Sequence, residues 1–293
     1  MADIKPFRAW KYNSILSENL RELTAPLSES VLKQRQEAFY KLPYHHYHVS
    51  SPLDVPPFEN AARRVSNWKL DGVIRPDALP GIYVYEQNFC LKSRAEECNR
   101  IGIVAFIKAE SFDKKVVLPH EKTIRKAVAY RSSLLSHTLM QTTPTHGFYS
   151  DPDQTIEAYL KESIRHPFFE FVDKQDTVHK LGVIQDYEVI QKIIRAFKKK
   201  QIWIADGHHR YESSVRRRLD QTEQNTQHRG NEAYNYHMMW LTNTYSSDLG
   251  LLPTHRLVHS IPNFDPQAFL KALEIYFEVA STPYSEDFGL APT

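Results

Sequence analysis

Apolar positions along this chain fall into two rhythms, and each predicts a different kind of element. Residues 81–89 and 101–107 are dense in β-branched and aromatic side chains and read as strands. The polar stretch between them predicts an antiparallel pair joined by a long loop. A helical period runs through 28–40, 57–70, 124–139, 156–164, 187–199 and 266–277. The helix over 187–199 ends in Lys198, Lys199 and Lys200, where positive charge suits a helix C-terminus, so the lysine run needs no ligand to explain it. Residues 142–153, rich in Thr, Pro, Gly and Asp, read as a loop, as does the polar stretch 220–232, while 236–243 returns as a strand. The succession predicts a mixed α/β (α+β) fold. It divides into a mixed region at 1–110, with the antiparallel strands, and a second region at 111–293, unless the two form one continuous domain.

Three apolar runs end abruptly in ionisable residues. In the first, Ile202-Trp203-Ile204-Ala205 breaks at Asp206-Gly207 into His208-His209-Arg210-Tyr211-Glu212, and 211–220 can continue as a helix. A strand, a turn at Gly207 and a helix would leave the N–H groups of Gly207 to Arg210 facing an anion at a positive helix end, and Arg210 would add a forked charge. The bland account is an ordinary strand-to-helix junction with Asp206 as cap and solvated histidines. In the second, Val116-Val117-Leu118 leads into Pro119-His120-Glu121-Lys122-Thr123, where a carboxylate beside a cation at a strand end suits a general base. Taken alone, such residues are usually just solvated. In the third, Leu251-Leu252 leads into Pro253-Thr254-His255-Arg256. The three junctions could converge on one sheet edge, where ligands collect in α/β folds.

Other clusters argue against particular chemistries. In Tyr44-His45-His46-Tyr47-His48, only alternate residues of an extended segment share a side and no acidic residue or Cys adjoins them. A half-buried strand is expected there, not a metal site. His208 and His209 are adjacent and poorly placed to chelate one ion together. Arg216-Arg217-Arg218 could reach nucleic acid, but a basic solvated face is the default. No Gly-x-x-x-x-Gly-Lys, Gly-x-Gly-x-x-Gly or Cys-x-x-Cys occurs, and Cys90 and Cys98 alone make no disulfide framework. The 293 residues are 41% hydrophobic and 25% charged with net charge +2, enough for a large core and without the excess that advertises nucleic acid or membrane. With no apolar leader and no membrane-length apolar run, a cytoplasmic protein is expected.

Pro6-Phe7-Arg8-Ala9, Tyr83-Val84-Tyr85, the 118–123 and 204–212 segments and Leu252-Pro253-Thr254-His255-Arg256 together resemble, in order and over almost the whole chain, an uncharacterised bacterial family (domain of unknown function 1015) assigned to the ParB-like superfamily. More distantly, His120-Glu121 and Asp206-Gly207-His208-His209-Arg210 are similar to motifs of ParB-like enzymes that phosphorylate free serine. That resemblance implies a ParB-like core with a strand, an Asp-Gly turn and a helix holding phosphate, interrupted by an inserted helical subdomain, since 84 residues separate Glu121 from Asp206. It implies Glu121 as base, with His120 and Asp206 in the catalytic set, and Gly207, His208, His209, Arg210, Lys122 and Thr123 around the nucleotide. His255, Arg256 and Arg131 are further candidates, and magnesium would arrive with ATP, ADP or another nucleotide. The expected partners are a nucleotide and a small hydroxyl-bearing metabolite. Departures from the family pattern at 24–29 and 125–131 favour instead a catalytically inert binding protein, and a ParB-like DNA-binding or nucleotide-sensing module is the other alternative. Family members usually run past the position of Thr293, so a C-terminally truncated chain is expected.

Overall fold

The computed structural model describes residues 1–25, 33–91, 96–246 and 259–280. Its elements, in chain order, are β1 (Ile4–Lys5), β2 (Trp10–Tyr12), α1 (Ser14–Ser17), α2 (Leu20–Leu23), α3 (Lys33–Tyr40), α4 (Tyr47–Ser50), α5 (Pro57–Leu70), β3 (Ile74–Pro76), β4 (Ile82–Leu91), β5 (Glu96–Lys108), β6 (Val117–Leu118), α6 (Arg125–Thr138), β7 (Thr145–Tyr149), α7 (Glu157–Ile164), β8 (Phe169–Val172), β9 (Val178–Ile184), α8 (Tyr187–Phe197), β10 (Ile202–Asp206), α9 (His208–Gln224), β11 (Tyr236–Asn243) and α10 (Pro266–Leu273). The fold is mixed α+β, as the residue pattern predicts.

One mixed sheet organises it, in the order β6-β10-β7-β11-β5-β4-β9-β8, with β1 paired to the end of β5 and a separate β2–β3 ribbon. The main core lies on this sheet: Ile82, Val84, Ile103, Ile107, Ile202, Ile204 and Leu241 from strands meet Ile193 and Phe197 of α8 and Tyr211 and Val215 of α9. In α8 the buried residues recur as Ile190, Ile193 and Phe197, one helical stripe, and the Asp186 side chain accepts from the Val189 N–H to cap it. A smaller cluster of Val49, Val65, Trp68, Val73 and Ile74 holds α4, α5 and β3 together. Helix α5 packs on α6, with Phe58 5.2 Å from Tyr130 between ring centroids, and α6 packs in turn on α9. Among the described residues, no helix is long and apolar enough to cross a membrane.

Several local expectations are corrected. Residues 90–91 and 96–100 are strand, not loop, because β4 and β5 pair in register from Tyr83 to Leu91, and Asn99 donates to Asn88 across the pair at 2.6 Å. Polar side chains are compatible with an antiparallel ladder when they bond across it. The 44–48 segment is not a strand: a turn leads into α4, and His45, fully buried, stacks on Phe39 at 4.6 Å. The expected loop at 142–153 contains β7, which lies between β10 and β11. Helix α9 starts at His208, three residues before the expected Tyr211, and extends to Gln224. The residues between Glu121 and Asp206 hold α6, α7 and α8 together with β7, β8 and β9, and those strands enter the main sheet.

Candidate functional site

The register of β6 and β10 brings the first two ionisable segments together. Val117 pairs with Ile202 and Leu118 with Trp203 in parallel, so both strands deliver their following residues to the same sheet edge. Pro119 to Thr123 therefore lies against the Asp206-Gly207 turn. Gly207 has φ +99°, a left-handed conformation that costs glycine least, and α9 begins at the next residue without a side-chain cap. The first-turn N–H groups have no intrahelical partner by construction, and the positive helix end faces the 119–123 loop.

The two histidines are not solvated. Buried His208 accepts from the His120 N–H on Nε2 at 3.3 Å and meets Glu121 Oε1 with Nδ1 at 3.0 Å. Burial lowers the His208 pKa and outweighs the opposing Glu121 charge, so the ring is neutral. With Nε2 accepting, Nδ1 carries the proton and donates to the Glu121 carboxylate. His209 Nε2 accepts from the Ile124 N–H at 3.0 Å, and the Thr123 hydroxyl donates to Glu212 Oε2. Burial alone would raise the Glu212 pKa, but bonds from Thr123 and Arg216 hold it below the carboxylate range. The loop is thus sewn to three successive points on α9. His120 Nδ1 also reaches the Ile204 carbonyl at 2.8 Å, and its ring stands edge-on to His208.

Arg210 bonds Asp206 Oδ2 and the Pro144 carbonyl, each at 2.5 Å, and its guanidinium lies over Gly207, where an added Cβ would come within 2.7 Å of it. Glu121 and Asp206 remain accessible, their side chains 52% and 74% exposed. His120, Glu121 and His208 are the group of three among the described residues whose ligand atoms, all within 4.8 Å of one another, could hold a metal ion. Loading His208 through Nδ1 would require that nitrogen to give up its proton while Nε2 still faces a backbone N–H.

Of the other predicted residues, Lys122 is exposed beside the loop. Arg131 donates to the Ser50 carbonyl at 3.1 Å and joins Arg210, Ser213, Ser214 and His237 around a small cavity of about 40 Å³. His255 and Arg256 lie outside the described residues, as does most of 24–29. Arg216 pairs with Glu212 at 2.7 Å, Arg218 with Glu110 at 2.7 Å and Arg217 donates to Ser136 Oγ at 3.3 Å, so all three arginines of the run are engaged within the protein. Sequence reasoning missed His237. It is fully sequestered beneath α9, contacting Thr145 Oγ1 with Nε2 and Ser214 Oγ with Nδ1, each at 2.7 Å. A histidine inside the apolar run Tyr236–Asn243 was the available signal.

A family model described as Protein of unknown function (DUF1015) matches residues 4–292. The chain belongs to this family. Comparison with curated proteins and with solved structures gave no match.

Proposed function

We propose that this DUF1015 chain is a nucleotide-dependent phosphotransferase or hydrolase acting on a small hydroxyl-bearing metabolite. The observation that carries the reading is Glu121, half-exposed yet held by the buried His208 ring at the uncapped N-terminus of α9. A carboxylate fixed by one oxygen and open to solvent is suited to take a hydroxyl proton, while the first-turn N–H groups and the Arg210 guanidinium over Gly207 favour phosphate charge. The likeness of His120-Glu121 and Asp206 to Arg210 to motifs of ParB-like free-serine kinases supports the same roles. Asp206 and Glu121 offer the hard oxygen donors that magnesium takes, and the ion would supply neutralisation of phosphate charge.

The network of His208, His209 and Glu212 with the loop gives the inert-scaffold reading its best support, since fastening alone would account for it. The DNA-binding reading is weakened by the engagement of Arg216 and Arg218. Magnesium-dependent turnover of ATP or another nucleotide, abolished in Glu121→Gln, is expected. A thermal-shift panel of ATP, ADP, CTP and phosphate, with and without magnesium, should show about 2.7 kcal/mol of stabilisation for each occupied site at a hundredfold excess over Kd, with the share due to the Gly207 turn lost in Arg210→Ala. Turnover by Glu121→Gln equal to the parent's refutes the role of Glu121, and silence with every nucleotide leaves the scaffold reading standing.

A further inference from the structure

A second cavity lies at the other end of β10. A cleft of about 790 Å³ opens where four segments meet: the exit of β7 at Ser150 and Asp151, the entry into α7 at Thr155 and Ile156 with Tyr159 of that helix, one face of α8, and Gln201 leading into β10 with Trp203. Its volume is that of a small-molecule site. Trp203 is three residues before Asp206, about 10 Å along a strand, so the cleft is separate from the Gly207 turn.

Helix periodicity explains its charge. Lys192, Arg195 and Ala196 follow each other at spacings of three and one, which puts them on one stripe of α8, away from buried Ile190, Ile193 and Phe197, and Lys199 joins them from the turn that follows the helix. A preference of cations for the last helical turn accounts for Lys198 to Lys200, but Lys192 stands well before the end of α8 at Phe197. Among the described residues no carboxylate pairs with Lys192, Arg195 or Lys199. The cleft's one carboxylate, Asp151, is already occupied: it takes Lys200 Nζ at 3.0 Å and both the N–H and hydroxyl of Thr155. Asn243 fastens the Asp151 backbone from both sides and also reaches Glu157, so the floor is rigid. Three cations without acidic partners therefore face a built cavity. Trp203, 41% exposed, offers an indole in the same cleft, and Tyr159 lies under Lys192 at 5.7 Å.

From this we infer that the cleft binds a nucleotide, its base stacked on Trp203 and its phosphates on Lys192, Arg195 and Lys199. The pairing of a flat aromatic platform with a cation stripe matches a ligand carrying both a π-face and several negative charges. This inference does not depend on the function proposed for the Gly207 turn.

The test reads Trp203 emission, taken as the difference between the parent and Trp203→Phe, during titration with ATP and with inorganic triphosphate. ATP should quench it saturably, and more tightly than triphosphate. The combined exposed-surface variant Lys192→Gln/Arg195→Gln/Lys199→Gln should weaken the Trp203 response at least tenfold, whereas Lys126→Gln, an exposed cation on α6, should leave it unchanged. The inference is overturned if Trp203 emission is unchanged by ATP, if triphosphate binds as tightly as ATP, or if the triple variant binds like the parent. Loss of nucleotide binding in Arg210→Ala alone would place the nucleotide at the Gly207 turn, supporting the proposed function while removing this one.

Discussion

His237 gives a sharp test of how α9 is held to the sheet. In the neutral ring the Ser214 hydroxyl donates to Nδ1 and Nε2 donates to Thr145, whose own hydroxyl turns to the Gly207 carbonyl at 3.3 Å, closing a chain from β11 through β7 to the turn. Burial above all, and then the Arg210 charge, lower its pKa from 6.5 to about 3. The unfolded chain therefore binds a proton that the folded chain refuses, and stability is lost as pH falls from 6.5 toward 3. Between about pH 7 and about pH 5 this single group removes about 2 kcal/mol. The perturbation is His237→Gln, whose amide keeps a donor and an acceptor but does not titrate. Urea unfolding followed by tryptophan emission at both pH values should show the variant losing about 2 kcal/mol less than the parent over that interval, whatever its stability at neutral pH. Other buried histidines, such as His146, also lowered to about 3 by burial, act equally in both proteins and cancel. Equal losses in parent and variant would refute the assignment of His237 as a neutral bolt under α9.

Gly207→Ala forces a side chain into φ +99° and into the Arg210 guanidinium, so a loss of about 1–3 kcal/mol is expected; an unchanged thermal midpoint would contradict it. His209→Ala removes one acceptor for a solvent-exposed N–H and should cost about 1 kcal/mol, whereas His208→Ala strips partners from Glu121 and the His120 N–H at a buried position and should cost about 2–4 kcal/mol. Urea midpoints that reverse this order would show that the loop is not fastened mainly through His208. Of the two thiols, exposed Cys90 should react with a disulfide reagent well before buried Cys98, so a titration in which both react together would contradict the burial of β5.

The legible parts of the fold share one property: their neighbours in sequence are also their environment. β4 and β5 could be read because both are dense in β-branched and aromatic side chains, and α5, α6 and α8 because one stripe of each is apolar. The Asp206-Gly207 turn was legible because glycine and the change of polarity coincide. β7 was not, since Thr145 to Tyr149 looks like turn sequence while its reasons lie elsewhere. A Cβ on Gly147 would sit 2.8 Å from Ile202, 2.9 Å from Met239 and 3.1 Å from Leu241, so flanking strands β10 and β11 dictate the small residue. In the site, the pairing of 119–123 with the turn was expected only as a convergence of strand ends; the clamps by His208 and His209 depend on side-chain direction, which spacing does not encode. The cleft beside α8 escaped notice because its lysines have an adequate local explanation and its other walls come from 150–159 and 201–203.

The parallel pairing of β6 with β10 also has a bearing on synthesis. Parallel neighbours need a crossover, and here it comprises everything from Pro119 to Gln201, so the ladder at Val117 and Ile202 closes over that whole segment. Contacts so distant in sequence slow folding, because the loop must close before they form. Glu121 emerges from the ribosome long before the helix that holds it, and a nascent chain stopped before His208 has the carboxylate without its clamp. The grouping at this sheet edge is therefore complete only once the crossover has been made, an order of assembly written into strand order.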